Sequence, residues 1–140
     1  MKPVHPFLLL SFLLSQAHSD DWPGWFGSQR DGVWRESGIL EKFPEEGPQV
    51  LWRTSIHRGY AGPAVADGKV YVMDRKVSDQ NAVTENAFKR GRIQGNERLL
   101  CLDAETGNVL WEKAHSCEYT VSYAAGPRAT PLIDEGRVYT

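Results

Sequence analysis

The stretch CLDAETGNVLW, Cys101 to Trp111, decides the fold. An apolar run stops at Asp103, a turn follows around Thr106 and Gly107, and a second apolar run ends on a tryptophan. A short acid at the start of such a turn caps backbone amides with its carboxylate. A glycine at its end takes the left-handed backbone that side chains disfavour. The stretch therefore reads as two antiparallel strands, and its last residue is the largest side chain a strand can carry.

Working outward, two echoes appear. Pro63–Val72 (PAVADGKVYV) is repeated in outline by Pro131–Thr140 (PLIDEGRVYT), and Val50-Leu51-Trp52 by Val109-Leu110-Trp111. Each proline-started echo is a hairpin, with Asp67-Gly68 or Glu135-Gly136 supplying the positive φ of a two-residue turn. One unit then holds four strands, near residues 62–66, 69–74, 98–103 and 108–113. A repeated four-stranded antiparallel meander predicts an all-β chain of the β-propeller class. A sandwich or small barrel remains open, although neither requires a tryptophan at one fixed place in a recurring unit.

The eleven residues from Cys101 resemble the tryptophan-docking repeat of pyrroloquinoline quinone (PQQ) propellers, A-x-D-x-x-T-G-x-x-x-W. Asp103, Thr106, Gly107 and Trp111 match it, while Cys101 departs from the small first residue. Trp22 to Gly32 and Gly126 to Pro131 also resemble segments of exported PQQ-like repeat proteins of planctomycete type. The resemblance implies a ring of about seven or eight blades, of which this chain, read as an N-terminal fragment, holds about one and a half. It also implies that the tryptophan ending a blade stacks on the turn of a neighbouring blade. A tryptophan buries ~150–250 Å², about 4–6 kcal/mol before entropy is subtracted. Trp111 is thereby expected to staple two blades. Trp52 ends a similar strand with no partner before it, which predicts a closing strand over 49–54, blade one over 62–113 and a partial blade two over 129–140. Residues 20–48 hold Trp22, Trp25, Trp34 and Phe43 among glycine, proline and charge, with no alternation, and predict an irregular segment.

Residues 1–19 read as a signal peptide: Lys2, an apolar run from Phe7 to Leu14, then small Ala17 and Ser19 before Asp20. Location is thus expected to be periplasmic or secreted. That run is too short to span a bilayer, which needs about 20 apolar residues. Composition is 41% apolar and 24% charged, which excludes disordered and collagen-like classes. A net charge of −2 leaves no electrostatic footprint for nucleic acid. Cys101 and Cys117 could form a disulfide in an exported chain, but strand pairing sets them apart, and two free thiols are the competing expectation.

A meander sends its connections alternately to opposite ends. The two tight turns share one end; the long connections, 75–97 and 113–130, share the other, where propellers bind partners. Arg92, Tyr123, Arg128 and Tyr60 are the candidate contacts, because arginine and tyrosine dominate interface energetics. Lys89-Arg90-Gly91-Arg92 is either a solvated insertion or an anion-reading lid. His115-x-Cys117 offers two metal ligands, short of a site. The expected function is non-catalytic binding of a protein or polymer partner, as in the resembling outer-membrane assembly propeller, with no cofactor and no membrane span. The alternative is a quinoprotein dehydrogenase using PQQ and calcium. The resemblance would then require a vicinal cysteine pair, glutamate and asparagine calcium ligands and an aspartate base, in blades outside this chain. A module of a larger exported enzyme is a third reading.

Overall fold

The computed structural model describes residues 20–78, 92–120 and 125–140. The expected signal peptide, Tyr123, most of the first long connection and Lys89-Arg90-Gly91 lie outside them. Among the described residues six strands form: β1 (Ala64–Ala66), β2 (Lys69–Val77), β3 (Gly95–Asp103), β4 (Val109–Ser116), β5 (Leu132–Asp134) and β6 (Arg137–Tyr139). The first four make one antiparallel sheet in the order β1-β2-β3-β4, and β5 and β6 make a separate hairpin. This is the four-stranded blade that the repeat predicts, followed by the start of a second.

The turn chemistry explains both hairpins. Asp67 and Gly68 have φ of 51° and 68°, and Glu135 and Gly136 have 46° and 73°. Two successive left-handed residues give the turn whose twist matches paired strands. The Gly68 carbonyl also accepts the Ala104 N–H at 3.0 Å, tying the two tight turns of the blade together.

β2 and β3 run further than the sequence suggests, each over nine residues, from Lys69↔Asp103 to Val77↔Gly95. Their outer ends are polar, so apolar alternation stops before the ladder does. What carries the ladder outward is charge pairing between the strands, described below.

Alternation gives the sheet two apolar faces. Tyr71 and Cys101 pack with Ala66 on one face, against Ile133 and Val138 of the β5–β6 hairpin. Val72, Leu100 and Leu102 pack on the other, against Trp52. Each such buried aliphatic contributes about 1.5–3 kcal/mol. A sheet covered on both sides accounts for the near-continuous apolar run at Leu99–Leu102, where a half-solvated strand would alternate.

β4 is exposed along its whole length. A bulge lies between Cys101 and Leu102, so that Trp111 opposes Cys101 while Val109 opposes Leu102. Residues 49–54 form no ladder among the described residues. Residues 20–48 carry no strand, but Trp22 exchanges both backbone hydrogen bonds with Val65 at 2.9 Å. The next carbonyl, of Pro23, accepts the Ile133 N–H at 2.8 Å. The segment at Trp22 and Pro23 thus runs between β1 and β5. No helix among the described residues is long and apolar enough to cross a membrane.

Candidate functional site

The two ends of the blade differ in character. At the tight-turn end, Asp103 organises the β3–β4 turn. Its Oδ1 accepts the backbone N–H of Thr106 at 2.8 Å and of Glu105 at 3.2 Å, and the Thr106 hydroxyl at 2.8 Å. The Thr106 contacts come first in holding the Asp103 carboxyl below its usual range. Gly107, at φ 71°, closes the turn.

Trp52 rests on this turn. A Cβ on Gly107 would lie 2.5 Å from Cδ2 and Cε3 of the indole, so only glycine leaves the seat flat. The Trp52 indole N–H donates to the Ala104 carbonyl at 2.9 Å, and the Thr54 hydroxyl to the Gly107 carbonyl at 2.5 Å. The turn of the docking motif is therefore occupied by Trp52. Trp111 lies beside Tyr71, ring centroids 6.0 Å apart, and is 37% exposed.

At the long-loop end two buried charges point to opposite faces of β2. Asp74, fully buried, accepts Nε and Nη2 of Arg98 at 2.8 and 2.6 Å and the backbone N–H of His57 at 2.6 Å. Arg98 also reaches Glu112 at 3.0 Å, and the Asp74 carboxylate leads the interactions that raise its pKa. This pair anchors the segment after Trp52 to the blade. On the other face Arg75, 3% exposed, lies 4.3 Å over the Tyr119 ring. Its Nη2 donates to the carbonyls of Ile93 at 2.5 Å and Cys117 at 3.1 Å. Ile93 and Tyr119 exchange backbone hydrogen bonds at 3.1 Å, and the Cys117 N–H donates to Gly95 at 2.8 Å. The bases of both long connections are thus joined to each other and to one buried guanidinium.

Beside this junction opens a cleft of about 380 Å³, lined by Met73, Glu97 and Tyr119 on one side and Gly126 to Ala129 on another. Arg128 stands at the cleft with its guanidinium 4.5 Å over the Tyr60 ring. The Tyr60 N–H donates to Pro127 at 2.8 Å. Gly59 and Gly126 permit that approach: a Cβ on Gly59 would meet the Met73 carbonyl at 2.7 Å, and one on Gly126 the Gly59 Cα at 3.2 Å.

Of the candidate contacts, Tyr60 and Arg128 are brought together. Arg92 is exposed and lies 3.8 Å from Glu118. Asp74, Arg75 and Glu97 escape sequence reasoning; the signal for the first two was a charged pair continuing the apolar run of β2. Glu97 and His115 are cross-strand partners in the β3–β4 ladder. The Tyr119 hydroxyl donates to Glu97 Oε1, and His115 Nε2 lies 3.5 Å from Glu97 Oε2. Burial first, then Glu97, pushes the Tyr119 phenol up. Burial and Glu97 also raise the Cys117 thiol, against the opposing charge of Arg75. Both cysteines are free, Cys101 in the core and Cys117 half-buried, as the strand pairing suggested.

Residues 36–140 match the model of the family PQQ_2, described as outer membrane protein assembly factor BamB. No curated protein and no solved structure matches the chain significantly.

Proposed function

Because the chain belongs to the PQQ_2 family of BamB-type repeats, we propose that it is an exported, non-catalytic β-propeller protein that binds a protein or polymer partner on its long-loop face. The observation that carries this reading is the Arg128–Tyr60 pair, held at the cleft on closely packed backbone beside the junction of the two long connections. An arginine over a tyrosine offers a planar donor array and an aromatic surface with little side-chain freedom left to lose, which is what interface anchors require. The description of the family as an assembly factor favours a macromolecular partner over a small substrate.

The dehydrogenase reading finds less support. Calcium takes oxygen ligands, whereas the metal-ligand cluster among the described residues, Glu97, His115 and Cys117, mixes oxygen with nitrogen and sulfur. The two cysteines, at 101 and 117, are not vicinal.

The test compares partner capture from envelope extract by the full chain and by Arg128→Ala and Tyr60→Ala. Each replacement is expected to weaken capture about tenfold or more, with stability changed by under about 1 kcal/mol. A large loss of stability with capture intact per folded molecule assigns the pair to the scaffold. Absorbance-detected binding of added PQQ with calcium overturns the non-catalytic reading, and mass spectrometry of secreted protein showing an intact Met1 overturns removal of residues 1–19.

A further inference from the structure

We propose that Glu97, His115 and Cys117 form a binding site for a divalent transition metal of the zinc class, with one coordination position left open. It does not rest on the partner-binding reading, although Glu97 and Tyr119 also line the cleft beside Arg128.

The backbone makes the site. Glu97 and His115 are paired across β3 and β4, and Cys117 follows His115 by two residues, so strand alternation returns it to the same face. The Cys117 N–H bonded to the Gly95 carbonyl at 2.8 Å fixes that continuation just past the end of β4. One ligand atom from each residue lies within 4.8 Å of the other two.

The distances suit a tetrahedral ion. With Zn–N and Zn–O near ~2.0–2.2 Å, the nitrogen–oxygen edge of the tetrahedron is ~3.4 Å. His115 Nε2 and Glu97 Oε2 stand 3.5 Å apart. A sulfur at ~2.3 Å needs edges of ~3.6 Å, so the widest gap must close by about 1 Å. The His115 side chain is 64% exposed and has room to turn.

The surroundings also fit. The Tyr119 hydroxyl binds Glu97 Oε1 and leaves Oε2 towards His115, the arrangement in which an outer hydrogen bond orients a metal carboxylate. A thiolate and an imidazole beside one carboxylate select zinc-like ions over calcium or magnesium. An ordinary surface ion pair accounts for His115 with Glu97, but gives no role to the thiol beside them. Arg75, which lies over Tyr119 and holds the Cys117 carbonyl, is the opposing charge. Thiolate and carboxylate together neutralise the incoming dication.

Cobalt(II) added to the full chain serves as the spectroscopic probe, and zinc as its competitor. One equivalent of cobalt is expected to give a thiolate-to-metal charge-transfer band that zinc abolishes. Cys117→Ser should remove the band. His115→Ala, at an exposed position that leaves folding intact by circular dichroism, should weaken zinc binding by more than about 100-fold. Tyr119→Phe should weaken it by about 10–100-fold, as outer-sphere partners do. Absence of the band in the wild-type chain, its persistence in Cys117→Ser, or zinc affinity within threefold of wild type in His115→Ala overturns the site.

Discussion

Trp52 and Trp111 end the same Val-Leu-Trp tripeptide and meet different surroundings. Trp52 lies flat on Gly107 with its indole N–H satisfied by Ala104. Trp111 leans on Tyr71 and keeps a face to solvent. Among the described residues the docking turn is filled by Trp52, and no second such turn stands against Trp111. Docking resides in the Asp103-to-Gly107 turn, which occurs once in this chain and already holds Trp52. A side chain that ends a strand becomes an inter-blade contact only where a turn presents bare backbone to it.

The largest effect should come from filling the seat. Gly107→Ala puts a Cβ into the Trp52 ring and strains a left-handed residue at once, so a loss of about 5 kcal/mol is expected in denaturant unfolding of the full chain. A loss under about 1 kcal/mol would mean that the seat does not hold the ring. Trp52→Ala removes the occupant alone and should destabilise by about 3–4 kcal/mol. Combined with Gly107→Ala it should fall well short of the sum, because both changes remove one contact. Trp111→Ala, on the half-exposed ring, should lose about 1–2 kcal/mol; equality with Trp52→Ala would erase the distinction between the two.

Gly136→Ala sharpens the comparison from the backbone side. Gly136 has φ 73° but nothing within 4 Å of the added Cβ, so it isolates the left-handed penalty, about 1 kcal/mol. The smallest effect concerns pH. Asp103 titrates below 3.8 in the folded chain, chiefly through Thr106. Its contribution is therefore complete above that ordinary value and is lost as pH falls through the lowered one. Thr106→Val should move the Asp103 titration up towards 3.8, followed by carboxyl NMR; no movement would remove Thr106 from the cap.

The hairpins were legible because their turns are local: Asp67-Gly68 and Glu135-Gly136 state their own backbone angles. The docking turn was legible for the same reason. The outer strand ends, 75–77 and 95–97, were not, since Arg75 needs the carbonyls of Ile93 and Cys117, the second of them far along the chain. Read alone, Arg75-Lys76 opens a polar stretch and marks a loop. Tyr60 and Arg128 were named from residue type, and their meeting depends on Gly59 and Gly126, whose close packing no periodicity announces. Glu97 was missed for a similar reason: its pairing with His115 follows from register, and register depends on how far the β2–β3 and β3–β4 ladders extend.

The path of Trp22 and Pro23 between β1 and β5 sets the order of synthesis against the order of assembly. A ribosome releases these residues well before either hairpin. Yet Trp22 can settle only once Val65 has been made, and Pro23 only once Ile133 has followed. This segment must wait for both hairpins to exist before it closes the seam between them, so it is made early and placed late.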